Sequence, residues 1–297
     1  MNNIKSLILT ILILTAYQSK AQLNPLASQF YINQYIANPA YAGIRDGLQV
    51  NGSYRKLWNN IDGAPVTQNL TADYRSAKVG LGLNMNNEGA GLQNQFRAMA
   101  TYAYHLPLND LGSSLHFGVS AGVTTFRLNT QAIIGNPGDV LAGRYNDRKA
   151  YLDGDFGAAL TTNSLEIQAA LPNLKSTFAK DDLPVSDATS FYGAASYRIR
   201  LGSGVSEVAL QPKAAYRAFR NYKDIVDLGA QVSFADQQVL LSGIYHTSQS
   251  ATFGIGMNYR KTYLIFASYT TQTSALSAYT NGSFELNLRL NMFNKVQ

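Results

Sequence analysis

The sequence predicts an all-β protein: a transmembrane antiparallel β-barrel of about fourteen strands, with twelve as the alternative count. Three observations carry this. Apolar and polar residues alternate over eight or more positions in segment after segment, the pattern of a strand whose two faces meet different surroundings. The polar faces hold Gly, Ser, Asn and Arg along their whole length, as a wet lumen would. Long connections alternate with short ones, the arrangement of an outer-membrane barrel with short periplasmic turns and longer extracellular loops. A soluble β-sandwich also alternates. However, these segments approach the roughly ten residues that a tilted strand needs to cross a bilayer.

The elements follow in chain order. Met1 to Lys5 carries one lysine, and Ser6 to Tyr17 is an apolar run too short to span a bilayer as a helix. Ser19 and Ala21 are the small residues that a signal peptidase reads. Residues 1–21 are therefore expected to be a cleaved signal peptide, and the protein to reach the cell outer membrane. The signal holds Lys5 and Lys20 and no acid, so the net charge falls from +6 to +4 without it. That excess is too mild to argue for nucleic-acid binding. The absence of cysteine excludes disulfides, thiolate metal sites and a lipid-modified N-terminal cysteine.

Residues 22–43 come next and do not alternate. Within "SQFYINQYIANPAYAG" stand Phe30, Tyr31, Tyr35 and Tyr41, with Asn33 and Asn38 between them. A disordered leader would not be expected to hold four aromatics in sixteen residues. The stretch is expected to be an element at the periplasmic mouth that docks a partner or plugs the barrel. Asn38-Pro39-Ala40 then turns the chain into the first strand, and residues 44–297 form the barrel.

Strands are expected near 45–58, 66–75, 77–86, 91–106, 113–128, 153–161 and 163–171, then 188–201, 206–218, 224–234, 237–246, 251–259, 262–270 and 282–293. In "KVGLGLNM", Val79, Leu81, Leu83 and Met85 share one face and Gly80, Gly82 and Asn84 the other. In "FELNLRLNM", Phe284, Leu286, Leu288, Leu290 and Met292 oppose Glu285, Asn287, Arg289 and Asn291. The apolar face is assigned to lipid. Gly82 and Gly254, on the lumen side, are expected to tolerate small polar residues. Trp58, Tyr74, Tyr104, Tyr216, Tyr259 and Phe293 fall at strand ends, where an aromatic girdle belongs.

Little in the chain has the makings of a catalyst, and no catalytic residue, metal site or cofactor is assigned. Parity points His105 and His116 into the lumen, without a third metal ligand at useful spacing or an acid to complete a triad with Ser114. They are read as polar lumen residues near the periplasmic rim. The charged lumen residues are mostly cations, among them Arg55, Arg97, Lys213, Arg217 and Arg289. They are read as bracing the barrel by pairing across it, ahead of selecting anions or holding a plug.

With these residues in view, the chain resembles the PorP/SprF family of the type IX secretion system, outer-membrane proteins of Bacteroidetes. The resemblance rests first on Ser28-Gln29-Phe30-Tyr31 leading to Asn38-Pro39-Ala40-Tyr41-Ala42-Gly43. It rests next on Tyr54, Arg55, Trp58, Gly63, Pro65 and Thr67 in "YRKLWNNIDGAPVT", and on the closing "GSFELNLRL". Thr270-Thr271 and Phe284 depart from the family's usual aspartate and histidine in the last hairpin. The resemblance implies a non-enzymatic role in type IX secretion and gliding motility. Partners would be periplasmic components of that system or a cognate large secreted adhesin. Phe30, Tyr31, Asn33, Asn38, Pro39, Tyr41 and Gly43 would form the docking or plug motif. The alternative function is a porin-like diffusion channel for small solutes.

Overall fold

The computed structural model describes residues 26–58, 61–110, 112–130, 145–147, 150–175, 189–202, 207–219, 223–271 and 280–293. The strands are β1 (Gly47–Leu57), β2 (Val66–Ser76), β3 (Val79–Ala90), β4 (Gln93–Pro107), β5 (Ser114–Leu128), β6 (Tyr151–Thr161), β7 (Leu165–Leu171), β8 (Thr189–Tyr197), β9 (Ile199–Leu201), β10 (Val208–Phe219), β11 (Ile225–Phe234), β12 (Val239–His246), β13 (Ser250–Tyr259), β14 (Tyr263–Thr270) and β15 (Ser283–Met292). Both β8 and β9 pair with β10, so they are one strand interrupted at Arg198. The barrel therefore has fourteen antiparallel strands, each paired with its neighbours in sequence. Pairing of β1 with β15 closes the ring and leaves no free edge.

The expected strands match the observed ones to within a few residues, because the alternation that locates them is the property that the fold uses. Leu81, Leu83, Val119, Phe253, Ile255, Met257, Leu286 and Leu288 are exposed on the outer wall. The buried residues include Thr71, Asp73, His105, Lys213, Arg217, Asp227, Glu285 and Asn287. Apolar outside and polar inside is what a barrel in lipid requires. Among the described residues no helix is long and apolar enough to cross a membrane.

The connections sort by end. Residues 58–65, 129–150, 172–188 and 271–282 join strands at one end, here the long-loop end. Residues 77–78, 162–164, 235–238 and 260–262 are turns at the opposite, short-turn end. Of the loops expected to be long, 129–152, 172–187 and 271–281 lie largely outside the described residues.

The aromatic girdle needs one correction. Tyr74, Tyr104, Tyr216, Tyr259 and Phe293 are exposed at strand ends. Trp58 is half-buried, with its indole N–H enclosed. It sits in the left-handed region at φ 48°, starting the turn after β1. Its carbonyl accepts from the Ile61 N–H at 3.0 Å, so Trp58 stands at the end of β1 with a more enclosed ring than the other five.

Candidate functional site

The residues that alternation left unassigned lie inside the barrel. Residues 26–44 make three short 3-10 turns, Ala27–Phe30, Gln34–Ile36 and Pro39–Tyr41. The last is set locally. The Asn38 side chain accepts from the Ala40 N–H at 3.0 Å, and Pro39 occupies the first helical position, where a missing N–H costs nothing. Gly43, at φ 68°, then turns the chain towards β1.

The segment is tied to the wall all the way round. On β15, Glu285 accepts from Ser28 and from the Gln29 amide, and Asn287 donates to the Ser28 hydroxyl at 2.6 Å. On β10, the Lys213 ammonium donates to the Phe30 carbonyl at 2.7 Å and to the Gln34 side chain. It also lies 4.9 Å from the centre of the Phe30 ring. On β2, Thr71 accepts from Asn33 at 2.9 Å and Asp73 from the Gly43 N–H at 2.9 Å. On β4, Thr101 accepts from the Tyr35 hydroxyl at 2.6 Å. Asn38 donates to the carbonyls of Ala158 on β6 and Ala169 on β7 at 3.2 and 3.3 Å.

Phe30, Asn33, Asn38, Pro39, Tyr41 and Gly43 are thus buried in the lumen, and Tyr31 is half-buried. The segment does more than sit at a mouth. It crosses the interior from a long-loop-side cavity of about 280 Å³, lined by Leu26, Ile36 and Arg97, to a short-turn-side cavity of about 250 Å³, lined by Ile44, Arg45 and Arg289. Tyr35 lines both.

The second group of motif residues lies elsewhere, at the first hairpin. Arg55 and Thr67 are buried in the lumen and face each other across the β1–β2 pair, with Glu285 opposite Arg55 on β15. Tyr54 points to the outside. Pro65 accepts from the Leu57 N–H at 2.9 Å, and Gly63, at φ 71°, accepts from the Gly91 N–H at 2.8 Å, tying two long-end connections together. Arg55 and Thr67 line a cavity of about 150 Å³ together with Gln29 and Ile36 of the inner segment, while Gly63 and Pro65 shape the long-loop end.

The histidine pair has a structural task. His105 Nδ1 and His116 Nδ1 are 2.8 Å apart, His105 Nε2 is 3.0 Å from the Ala42 carbonyl, and His116 Nε2 is 2.8 Å from the Thr161 hydroxyl. One choice of neutral tautomers satisfies all three contacts. Thr161 donates to His116, His116 donates to His105, and His105 donates to Ala42. The pair thereby fastens residue 42 to β4, β5 and β6.

Sequence reasoning missed a second network. His246 lies 2.6 Å from Asp227 and 2.8 Å from the Thr252 hydroxyl, and Arg217 holds the same carboxylate at 2.9 and 3.1 Å. Acid, imidazole and hydroxyl are connected as in a hydrolase triad. Asp227, His246 and Thr252 are all fully buried, and Thr252 also bonds Thr270 at 2.8 Å, so no substrate reaches the hydroxyl. The network braces β10 to β14. Its signal was available, since Asp227 and His246 fall on the polar faces of consecutive strands and pair across them. Among the described residues no group of three His, Cys, Asp or Glu is placed to hold a metal ion.

Comparison with known proteins bears on the fold and the family. A family model described as "Type IX secretion system membrane protein PorP/SprF" matches residues 19–290. No curated protein matches the chain. Among solved structures, the Acinetobacter baumannii outer membrane protein Omp33 is similar at a TM-score of 0.52 and 8% identity, covering 84% of this chain and 100% of its own. The Ralstonia pickettii toluene transporter TbuX is similar at 0.50 and 13% identity, covering 87% and 93%. At such identities the likeness is one of fold alone.

Proposed function

The chain belongs to the PorP/SprF family of type IX secretion membrane proteins, and on that premise we propose that it works as a plugged outer-membrane barrel that acts through protein contacts, not as a diffusion channel. Its task would be to support secretion or surface attachment of a large adhesin, with periplasmic components of the system as partners. The observation that carries the reading is the belt of hydrogen bonds from residues 28–43 to β2, β4, β6, β7, β10 and β15. A diffusion pore needs its lumen open, whereas here the segment stands between two separate cavities.

Energetics favour a segment that stays in place. Phe30, Tyr35 and Tyr41 are each at most 5% exposed, and burying such a ring is worth about 1.5–3 kcal/mol. The Lys213 ammonium is 3% exposed. The Phe30 carbonyl and the Gln34 side chain offset the cost of burying that charge. The family and the fold are those of a secretion or outer-membrane barrel protein, and we assign no enzymatic activity.

Single-channel recording of the purified protein, paired with identification of what copurifies from the outer membrane, tests this. The expected result is little conductance and the recovery of type IX secretion components. A steady open-channel current with no secretion partner recovered would support the porin reading instead.

A further inference from the structure

We propose that the cavity at the short-turn end is a binding site for a carboxylate carried on a peptide chain. Its lining holds three guanidinium groups, those of Arg45, Arg198 and Arg289. None of them forms an ion pair with a carboxylate among the described residues. Arg198 donates to Gln211 at 3.1 Å and Arg289 to Asn51 at 2.7 Å, while Arg45 is exposed into the cavity. Among the described residues Glu166 is the one acid in the lining. Asp73 acts on Arg45 and Arg289 from the wall behind, and one of its oxygens is engaged by the Gly43 N–H. Cations therefore exceed acids at the opening, and guanidinium groups are shaped to hold a carboxylate through paired N–H donors.

The neutral lining argues for a peptide rather than a simple anion. Gln231 and Asn258 both line the cavity. A free carboxylate offers acceptors only. A peptide group offers one donor and one acceptor, as a side-chain amide does, and so matches an amide lining. A cavity of about 250 Å³ accommodates an acidic side chain with its adjoining backbone, not a folded domain. The inference deepens the partner reading above, but binding to the purified barrel is measurable whether or not that reading stands.

The test is isothermal titration of the purified, heat-modifiable protein in detergent with acetyl-Gly-Glu-Glu-Gly-amide, acetyl-Gly-Gln-Gln-Gly-amide and inorganic phosphate. The acidic peptide should bind at least about tenfold more tightly than either of the others. Binding should weaken as salt is added. Arg45→Gln removes a side chain that makes no hydrogen bond or ion pair among the described residues, so the barrel should stay heat-modifiable while binding falls about tenfold. Lys261→Gln alters an exposed rim cation paired with Asp236 at 2.8 Å, and should leave binding unchanged. Absence of binding by the acidic peptide overturns the proposal. Equal affinity for phosphate overturns the peptide assignment, and an unchanged affinity in Arg45→Gln shows that the ligand sits elsewhere. A failed titration alongside intact copurification of secretion partners would sink this inference alone.

Discussion

The carboxamide of Asn38 occupies the space that a side chain on Gly157 would need. Gly118 faces Gly157 across the β5–β6 pair, and a Cβ on Gly118 would overlap the Pro39 carbonyl. On β3, a Cβ on Gly80 would overlap the Ala42 carbonyl, and one on Gly82 the Tyr35 hydroxyl. These four glycines form the inner-wall groove in which residues 35–42 lie.

Gly157→Val or Gly118→Val should therefore expel the segment without breaking the wall. The strand face is otherwise suited to a β-branched residue. The expected outcome is a heat-modifiable barrel in normal amount with a conductance well above that of the parent. Gly52→Val is the control, since a Cβ there meets nothing within 4 Å. Folded glycine variants with unchanged conductance would mean that the segment is not what closes the lumen.

The same groove corrects the reading of the glycines drawn from alternation. Gly82 and Gly254 were expected to tolerate small polar residues because they face inward. They do face inward, but Gly82 lies under Tyr35, and Gly254 lies under the Phe266 ring from the neighbouring strand. Period 2 reveals which face a residue is on, because the pleat fixes that locally. It does not reveal what stands opposite inside the barrel, which depends on residues far away in sequence. For the same reason the segment was legible as a non-strand element dense in aromatics, while its path across the lumen was not. Its ties to Glu285 and Lys213 span more than 180 positions.

The lipid-facing wall offers a sharper contrast. Leu83 and Ile255 are 44% and 60% exposed on the outer face. Leu83→Arg or Ile255→Arg should lower the amount of assembled barrel, since a cation at mid-membrane costs about 2–4 kcal/mol. Asn86→Arg, whose side chain lines the long-loop-side cavity, should assemble nearly normally. The fraction of heat-modifiable protein in the outer membrane measures both. Equal losses at inward and outward positions would show that the assigned faces are wrong.

Orientation follows from loop length, with the long-loop end expected outside the cell. Because the chain lacks cysteine, single-cysteine variants report position directly. Asp62→Cys should react with an impermeant maleimide on intact cells, and Lys261→Cys only after the outer membrane is opened. The reverse pattern would turn the barrel over and place the arginine-lined cavity at the cell surface.

The last prediction concerns the aromatics of the inner segment. Phe30 packs with Ala170, Tyr192, Ala194, Ala215 and Ile244, and Tyr35 joins Tyr41 against Ala103 and Ala159. Tyr31 is set edge-on to Phe30 at 4.9 Å and donates to the Gln211 carbonyl at 3.0 Å. Replacing Phe30, Tyr31 and Tyr35 together with alanine removes apolar contacts worth on the order of 1–3 kcal/mol each. It also removes the hydroxyls that reach β4 and β10. The strand pairings are untouched, because the ladder hydrogen bonds of the wall run from strand to strand. A heat-modifiable barrel should therefore persist in the outer membrane, with raised conductance and with secretion or adhesin display abolished. If the triple variant is missing from the membrane, the segment serves barrel folding. If it is present, closed and fully active in secretion, these aromatics neither close the lumen nor support a partner, and the proposed role of the segment fails.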